Sequence, residues 1–264
     1  MHVTQHVVMF SGGAGSWAAA RRVASEHGTG RLTLLFADTL IEDADLYRFL
    51  DEAAANVGGE LVTIADGRTP WEVFRDVRFL GNTRVDPCSR VLKREILDRW
   101  LVDNCDPHDT VVYLGISWDE AHRLTRASAR FAAKGWTCRA PLCEEPLPPM
   151  GTAWALDALR AAGIEPPRLY AMGFPHNNCG GFCIKAGQAH FALLLRRMPD
   201  RYAYHEAQEE SLRAELGDVS TLRDRTGGTT TPMTLRAFRD RVQSQLSFDS
   251  DEWGGCGCFA GGDE

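Results

Sequence analysis

Three features are missing from the sequence, and each absence excludes a class of protein. No run of about 18 apolar residues occurs, so no membrane span is expected. With a formal net charge of −7, the chain lacks the overall positive field that is typical of nucleic-acid-binding proteins. The first residues lead directly into an apolar run, without the pattern of a signal peptide, so we expect a cytoplasmic protein.

Cysteine, in contrast, is abundant, because the chain has eight. In the cytosol, cysteines are metal ligands, redox groups or buried thiols more often than disulfides. Two pairs are closely spaced, Cys179 with Cys183 and Cys256 with Cys258, and Cys88 follows a proline at the start of a predicted helix. These five cysteines are therefore candidate ligands.

A glycine-rich segment near the N-terminus is the strongest local signal. Ser11-Gly12-Gly13-Ala14-Gly15-Ser16 lies between an apolar run and a helical pattern over 17–26. This order predicts a strand, a tight turn and a helix. Backbone N–H groups at a helix N-terminus are unpaired, and the helix dipole favours an anion there. We therefore predict a phosphate site, with a purely structural turn as the alternative.

Two well-known phosphate motifs do not fit this segment. A Walker A loop requires a Gly-Lys-Ser/Thr sequence, and no lysine follows the glycines. The dinucleotide fingerprint Gly-x-Gly-x-x-Gly is incomplete, because Ala18 occupies the third glycine position after Gly13 and Gly15. The segment therefore indicates an anion site of another kind.

Strand-like and helix-like segments alternate along the first part of the chain. The apolar runs that predict strands are 7–10, 32–37, 61–65 and 110–116. This alternation predicts βαβ units in a doubly wound, mainly parallel α/β fold, with ligands at the carboxyl ends of the strands. We expect a nucleotide-binding α/β domain over residues 1–185 and a helical extension with a cysteine-containing tail over 186–264.

Five separated motifs occur in an order that is typical of one superfamily. They are Ser11-Gly12-Gly13-x-x-Ser16, Phe36-Ala37-Asp38-Thr39 with Glu42, Cys88 to Lys93, Gly115-Ile116 with Glu120 and Arg123, and Leu169-Tyr170-x-x-Gly173-Phe174 with Cys179 and Cys183. Together they resemble the PP-loop proteins of the adenine nucleotide α-hydrolase-like superfamily. The last motif is similar to the end of the phosphoadenosine phosphosulfate (PAPS) reductase domain.

The resemblance implies an ATP-pyrophosphatase-type fold that binds ATP or a PAPS-like adenine nucleotide. Residues 11–16 and Gly115 would hold the nucleotide, and Asp38 would contact the nucleotide or Mg²⁺. Lys93 and Arg123 would neutralise the charge that develops on pyrophosphate or sulfate. Asp38, Lys93 and Arg123 are therefore the candidate catalytic residues.

This chain departs from the family pattern at two places. Ala14 and Gly15 stand where a PP-loop usually has lysine and aspartate, so the missing positive charge must come from Mg²⁺, Lys93 or Arg123. The Glu-Cys-Gly-Leu-His motif of true PAPS reductases is also absent, and a Cys-Gly-Cys segment at 256–258 stands in its region. Sulfate reduction through a single tail cysteine is therefore not supported.

The paired cysteines predict a thiolate site. Cys179 and Cys183 flank a Gly-Gly-Phe turn, and thiolates two to four residues apart can bind one metal. Cys256 and Cys258 would complete this site. Alternatively, Cys88 would complete it, as the resemblance to iron–sulfur reductases and sulfur transferases implies. Spacing alone does not choose between a [4Fe–4S] cluster and Zn²⁺. Unliganded thiols and a sulfur-relay arm are the alternatives.

The resemblance implies an adenylating enzyme that releases pyrophosphate and then transfers sulfur. Its partners would be a nucleotide, a nucleobase in tRNA or DNA, a sulfur-donor protein and a second copy of the chain in a homodimer. One alternative is a PAPS or adenylyl-sulfate reductase. The other is a non-catalytic nucleotide sensor with a structural zinc, which the missing PP-loop lysine favours.

Overall fold

The computed structural model describes residues 5–81, 85–225 and 228–252, with side chains up to residue 244. The chain divides into two compact units. One comprises Met1–Val77 with Val85–Cys183, and the other comprises Arg78–Arg84 with Ile184–Glu264. None of the helices in the described ranges combines the length and the apolar character that crossing a membrane requires.

Strands and helices alternate in the first unit. The strands are β1 (Gln5–Met9), β2 (Leu32–Asp38), β3 (Glu60–Ala65), β4 (Thr110–Leu114) and β5 (Thr137–Arg139). The helices are α1 (Ala14–His27), α2 (Ala44–Val57), α3 (Pro70–Asp76), α4 (Pro87–Ser89), α5 (Ile96–Asn104), α6 (Ala121–Ala132), α7 (Ala153–Ala161) and α8 (Arg168–Ala171). A π-helical segment, Arg90–Glu95, joins α4 to α5.

The five strands form one parallel sheet in the order β3-β2-β1-β4-β5. β1 lies at its centre, where Val8 pairs with Leu34 of β2 on one side and with Tyr113 of β4 on the other. The chain builds outward from β1 to β3 and then crosses back to place β4 on the opposite side of β1. The order therefore reverses between β1 and β4, and ligands of open α/β sheets bind outside the carboxyl ends of the strands at such a switch point.

Both faces of the sheet are covered. Successive residues of a strand point to opposite faces, so Val8 packs with α1, α2 and α7, whereas Val7 packs with α5 and α6. Burial on both faces accounts for the almost continuous apolar runs that the sequence shows at the strands. The predicted doubly wound α/β fold is therefore confirmed.

The start of α1 packs directly against the residue that follows β4. A Cβ atom on Gly115 would lie 2.7 Å from Ser16 Cα and 2.8 Å from Ser16 N, so only glycine fits there. Gly12 has a φ of +73°, which glycine adopts without strain, and a Cβ at this position would overlap Leu46 of α2. Glycine is therefore required at both positions, because position 115 packs against Ser16 and position 12 packs against Leu46.

In the part that the structure describes, the second unit contains three helices and a hairpin. They are α9 (Gln188–Arg197), α10 (Pro199–Leu216), β6 (Leu222–Asp224), β7 (Thr231–Met233) and α11 (Leu235–Glu252). The buried carboxylate of Glu209 on α10 accepts hydrogen bonds from Thr221 N at 2.7 Å and Leu235 N at 2.5 Å. One side chain therefore connects α10 to the residues that begin the hairpin and α11.

The structure shifts some of the predicted elements and adds others. α1 begins at Ala14 rather than at Trp17, so the glycine turn itself forms the first turn of the helix. β5, β6 and β7 were not predicted, because strands of three residues are too short to show a clear alternation. The predicted domain boundary after residue 185 stays a prediction.

We expect Gly115→Ala to lower the free energy of unfolding by about 1–3 kcal/mol, because the added methyl group overlaps the backbone of α1. Gly30→Ala is the matched control, since a Cβ at this exposed position would meet no atom within 4 Å. Urea denaturation followed by circular dichroism measures both changes. Equal stability of the two variants would contradict the close backbone contact.

Candidate functional site

A cleft of about 510 Å³ opens at the switch point between β1 and β4. Its walls come from the glycine turn, the segment after β4, the start of α7 and the residues just before Cys179. The predicted nucleotide-binding and catalytic residues that line this cleft are Ser11, Gly13, Gly15, Ser16, Gly115 and Arg123. The structure therefore brings together residues that are more than 100 positions apart in the chain.

The glycine turn presents the N-terminus of α1 to the cleft. Gly13 is the N-cap residue, and no side chain caps the helix. The Ser16 hydroxyl donates to the Gly13 carbonyl at 2.8 Å, so it stabilises the turn from within. The partial positive charge at this helix N-terminus is therefore open to an anion.

Tyr170 adds a hydroxyl group to the same region. Its oxygen accepts a hydrogen bond from Ala14 N at 3.4 Å, and burial raises the pKa of the phenol. The hydroxyl therefore stays protonated at neutral pH and can donate to an oxygen of a ligand. The sequence motif contained Tyr170, but nothing in the pattern indicated which group its hydroxyl would contact.

An ion pair fixes the helix that carries Tyr170. The Arg168 guanidinium donates to both carboxylate oxygens of Asp43, at 2.7 and 2.8 Å, and Arg168 N donates to Asp45 at 2.8 Å. Asp43 also caps α2 by accepting a hydrogen bond from Asp45 N. The start of α2 therefore positions α8 and, through it, the tyrosine at the glycine turn.

Asp38 lies at the end of β2, as predicted, but it is not among the residues that line the cleft. Its buried carboxylate accepts hydrogen bonds from Leu40 N at 2.8 Å and from the Tyr47 hydroxyl at 3.0 and 3.1 Å. These contacts stabilise the turn after β2, where Leu40 has a φ of +60°. Contact of Asp38 with the nucleotide or Mg²⁺ stays a prediction.

Arg123 lies in the first turn of α6 at the cleft. Among the described residues that line the cleft, it is the one lysine or arginine. Its guanidinium contacts Glu120 at 2.5 Å, and the side chain is 56% exposed. Nearby, a hydrogen bond from Gly151 N at 2.9 Å holds the pKa of Asp119 below its usual value. The described lining contains Asp119 and Glu120 beside Arg123, so its side chains supply no net positive charge, and the helix N-terminus is the other source of positive charge in the cleft.

Lys93 lies beside Glu42 and close to the cysteines, and its contact with pyrophosphate or sulfate stays a prediction. Its ammonium group is 3.7 Å from the buried Glu42 carboxylate, which also accepts a hydrogen bond from the Thr39 hydroxyl at 2.8 Å. Burial alone would lower the pKa of Lys93. The nearby Cys179 and Glu42 raise this pKa by a larger amount, so the net shift is upward. Lys93 is therefore a charged group beside the thiols rather than a residue that lines the cleft.

Cys88, Cys179 and Cys183 lie close enough for their charges to interact with one another and with Lys93. Burial raises the pKa of Cys88 to about 11 and raises that of Cys179 as well, although Lys93 partly offsets the shift at Cys179. Without a metal, these two thiols are protonated near pH 7. We call this group of three cysteines and Lys93 the thiol cluster.

Thiolate donors suit both iron–sulfur clusters and zinc. Cys256 and Cys258, which the sequence predicted as two of the four ligands, lie outside the described residues. Within the described part of the chain, no three histidine, cysteine, aspartate or glutamate side chains are arranged to hold a metal ion. The thiol cluster therefore fits a metal site by its donor chemistry, while its complete ligand set stays a prediction.

Asn177 connects the segment before Cys179 to the glycine turn. Its amide nitrogen donates to the Gly12 carbonyl at 3.4 Å, and the side chain is almost fully buried at the cleft. Its amide oxygen has no hydrogen-bond partner among the described residues. The sequence analysis missed this residue, although its position two residues before Cys179 was a signal that could have found it.

No protein-family model matches the sequence, and no curated protein matches it. Among solved structures, the chain is similar to PAPS reductase from Candida auris in a phosphate complex. The identity is 14% and the TM-score 0.43, over 66% of this chain and 79% of that chain. It is also similar to the U34-tRNA thiolase NcsA from Methanococcus maripaludis with its [4Fe–4S] cluster.

For this thiolase the identity is 14% and the TM-score 0.44, over 81% of this chain and 74% of that chain. Both likenesses concern the fold alone. The strand order and the helices on both faces of the sheet establish the architecture independently. The chain therefore has the doubly wound α/β fold that its resemblance to the PP-loop proteins implies.

Proposed function

We propose that the chain is a PP-loop enzyme that binds ATP, or a sulfated adenine nucleotide, in the cleft between β1 and β4. The observation that carries this proposal is the start of α1, where a glycine turn without a side-chain cap opens directly into the cleft. A helix N-terminus of this kind binds phosphate through its backbone N–H groups and its dipole.

In this proposal, each group in the cleft has a separate task. The glycine turn holds phosphate oxygens through backbone N–H groups, and the Tyr170 hydroxyl donates to one of them. Arg123 leaves Glu120 and neutralises charge on the departing pyrophosphate. Mg²⁺ supplies further positive charge to the phosphates when it is bound. The apolar side chains of Leu142 and Trp154 line the same cleft and offer a surface for the adenine ring.

The proposed reaction begins with adenylation. An oxygen of the acceptor attacks the α-phosphorus of ATP, the bond to the β-phosphate oxygen breaks, and pyrophosphate leaves with the electron pair. Hydrosulfide that a donor protein delivers then attacks the activated carbon with an electron pair of its sulfur, and AMP leaves with the former acceptor oxygen, so the exchange needs no oxidant or reductant. A nucleobase in tRNA or DNA is the acceptor that we propose.

We further propose that the thiol cluster holds a [4Fe–4S] cluster or Zn²⁺. Cys179 and Cys183 would be ligands together with Cys256 and Cys258, or with Cys88. An iron–sulfur cluster supplies a metal that can bind sulfur. Lys93 would favour the thiolate forms of the ligands, because a nearby cation stabilises the ionised thiol. Asn177 would keep this site close to the glycine turn through its hydrogen bond to Gly12.

A nucleotide sensor is the second candidate function. Ala14 is fully buried where a PP-loop has its lysine, and Arg123 is already paired with Glu120. A cleft with so few positive side chains would stabilise the charge on departing pyrophosphate poorly. The helix N-terminus could then bind the phosphates without rapid cleavage. In a sensor, ATP binding would occur without release of pyrophosphate.

We expect Arg123→Gln to weaken ATP binding about tenfold, because a charge-assisted hydrogen bond to phosphate is lost. Isothermal titration calorimetry with Mg²⁺ present measures the dissociation constant. Arg126→Gln removes the same charge from the exposed side of α6 and should change binding less than about twofold. An equal effect of the two substitutions would contradict the placement of the phosphates beside Arg123.

Pyrophosphate release separates the enzyme from the sensor. We expect release when ATP is offered with tRNA or DNA and a sulfide source, and slower release in Arg123→Gln than in Arg126→Gln. A coupled phosphate assay follows the product. Tight ATP binding without release for any acceptor would support the sensor. Release of sulfite from PAPS would instead identify a reductase.

Metal content tests the thiol cluster. Protein purified without oxygen should contain iron and sulfide, with a brown colour, or else zinc. Cys179→Ser and Cys183→Ser should each lose most of this metal, because a serine hydroxyl is a poor ligand for either site. Cys105→Ser, which changes a cysteine outside the thiol cluster, is the control. Full metal content in both cluster variants would rule out the proposed ligands.

A further inference from the structure

The second unit has a cavity of its own, with a volume of about 600 Å³. The residues before and at the start of α9 form one part of its lining, and the residues around β6 form another. Three of the lining side chains are cationic, Lys185, Arg223 and Arg225, and no aspartate or glutamate belongs to the described lining. This composition indicates a cavity with a net charge of about +3 at neutral pH.

The N-terminus of α9 also opens into this cavity. Gly187 is the N-cap residue, and no side chain caps the helix. A Cβ on Gly187 would meet no atom within 4 Å, so the space in front of the helix is open. α9 is ten residues long, and its dipole therefore adds partial positive charge at the same place as the three cations.

Two polar groups close to the cavity cations in sequence have partners among the described residues. The Gln188 amide donates to the Arg223 carbonyl at 2.6 Å and accepts from Arg241 at 2.7 Å. The carboxylate of Asp224 accepts a hydrogen bond from the same arginine, Arg241, at 3.0 Å. Asp224, which lies between the two cavity arginines in the sequence, therefore pairs with Arg241.

Thr221 also lines the cavity and is 8% exposed. Its backbone N–H donates to the Glu209 carboxylate at 2.7 Å, and its hydroxyl interacts with the same carboxylate. Thr221 therefore connects the wall of the cavity to α10, and the three cations supply the charge of the cavity.

We propose that this cavity binds a phosphate group. Phosphate offers several acceptor oxygens, which match the guanidinium forks of Arg223 and Arg225, the ammonium of Lys185 and the N-terminus of α9. The group belongs either to a free phosphate compound or to the phosphodiester backbone of a nucleic acid. The inference stands apart from nucleotide binding in the cleft of the first unit.

Two probes test the full-length chain, a fluorescently labelled single-stranded DNA of 20 nucleotides and inorganic phosphate. Anisotropy measures DNA binding at several salt concentrations, and calorimetry measures phosphate binding. The test variant is the double substitution Lys185→Gln with Arg225→Gln. The control is Arg196→Gln with Arg197→Gln, which removes the same charge from exposed positions at the other end of α9. Thermal unfolding establishes that each variant is folded.

The test variant should bind its probe at least about tenfold more weakly than the control, because two charged donors to phosphate are lost. With DNA, the slope of log affinity against log salt should fall by about 1.4, the value for two phosphate contacts on a single strand.

The two probes distinguish the two sources of phosphate. DNA binding that depends on the cavity residues would identify a nucleic acid, whereas binding of phosphate alone would identify a free phosphate compound. The inference is wrong if neither probe binds, or if the test and control variants bind equally well.

The cleft variants separate this inference from the proposed function. Arg123→Gln should leave binding at the cavity unchanged, and the cavity double substitution should leave ATP affinity unchanged. Failure of ATP binding with intact cavity binding would contradict only the proposed function. The reverse result would contradict only the cavity site.

Discussion

The close contact between the start of α1 and Gly115 is the constraint on which the proposed nucleotide site depends. It brings the end of β1 and the end of β4 together at the point where the strand order reverses, and the cleft opens there. A Cβ on Gly15 would lie 3.2 Å from the Gly115 carbonyl oxygen, so a larger residue would be pressed against this acceptor. Position 15, where a PP-loop usually has aspartate, is a glycine in this chain, and the glycine avoids this tight contact.

The cleft and the thiol cluster of the first unit each have their own source of positive charge. The cleft relies on the dipole of α1 and on Arg123, while Lys93 lies in the thiol cluster beside Glu42. Asn177 contacts Gly12 and lies two residues before Cys179, so one buried amide connects the two places. This arrangement suits a reaction in which a nucleotide activates the acceptor and sulfur chemistry follows nearby.

The sequence predicted much of this arrangement from local patterns. Apolar runs bounded by small or acidic residues located four of the strands, and the glycine turn located the start of α1 to within three residues. The resemblance to the PP-loop proteins grouped Asp38, Lys93 and Arg123 around one ligand. Of these three, the structure places only Arg123 in the lining of the cleft. The spacing of residues along the sequence does not indicate which groups a flexible side chain contacts in the folded protein.

The sequence by itself determined the positions of the four longer strands of the first unit and of the glycine turn, because these depend on side-chain periodicity and local sterics. Only the tertiary structure decided the order β3-β2-β1-β4-β5, the ion pair of Arg168 with Asp43 and the position of Lys93 among the thiols. Each of these joins residues far apart in the chain. Their energies depend on distance and burial, which arise only when the helices pack on both faces of the sheet.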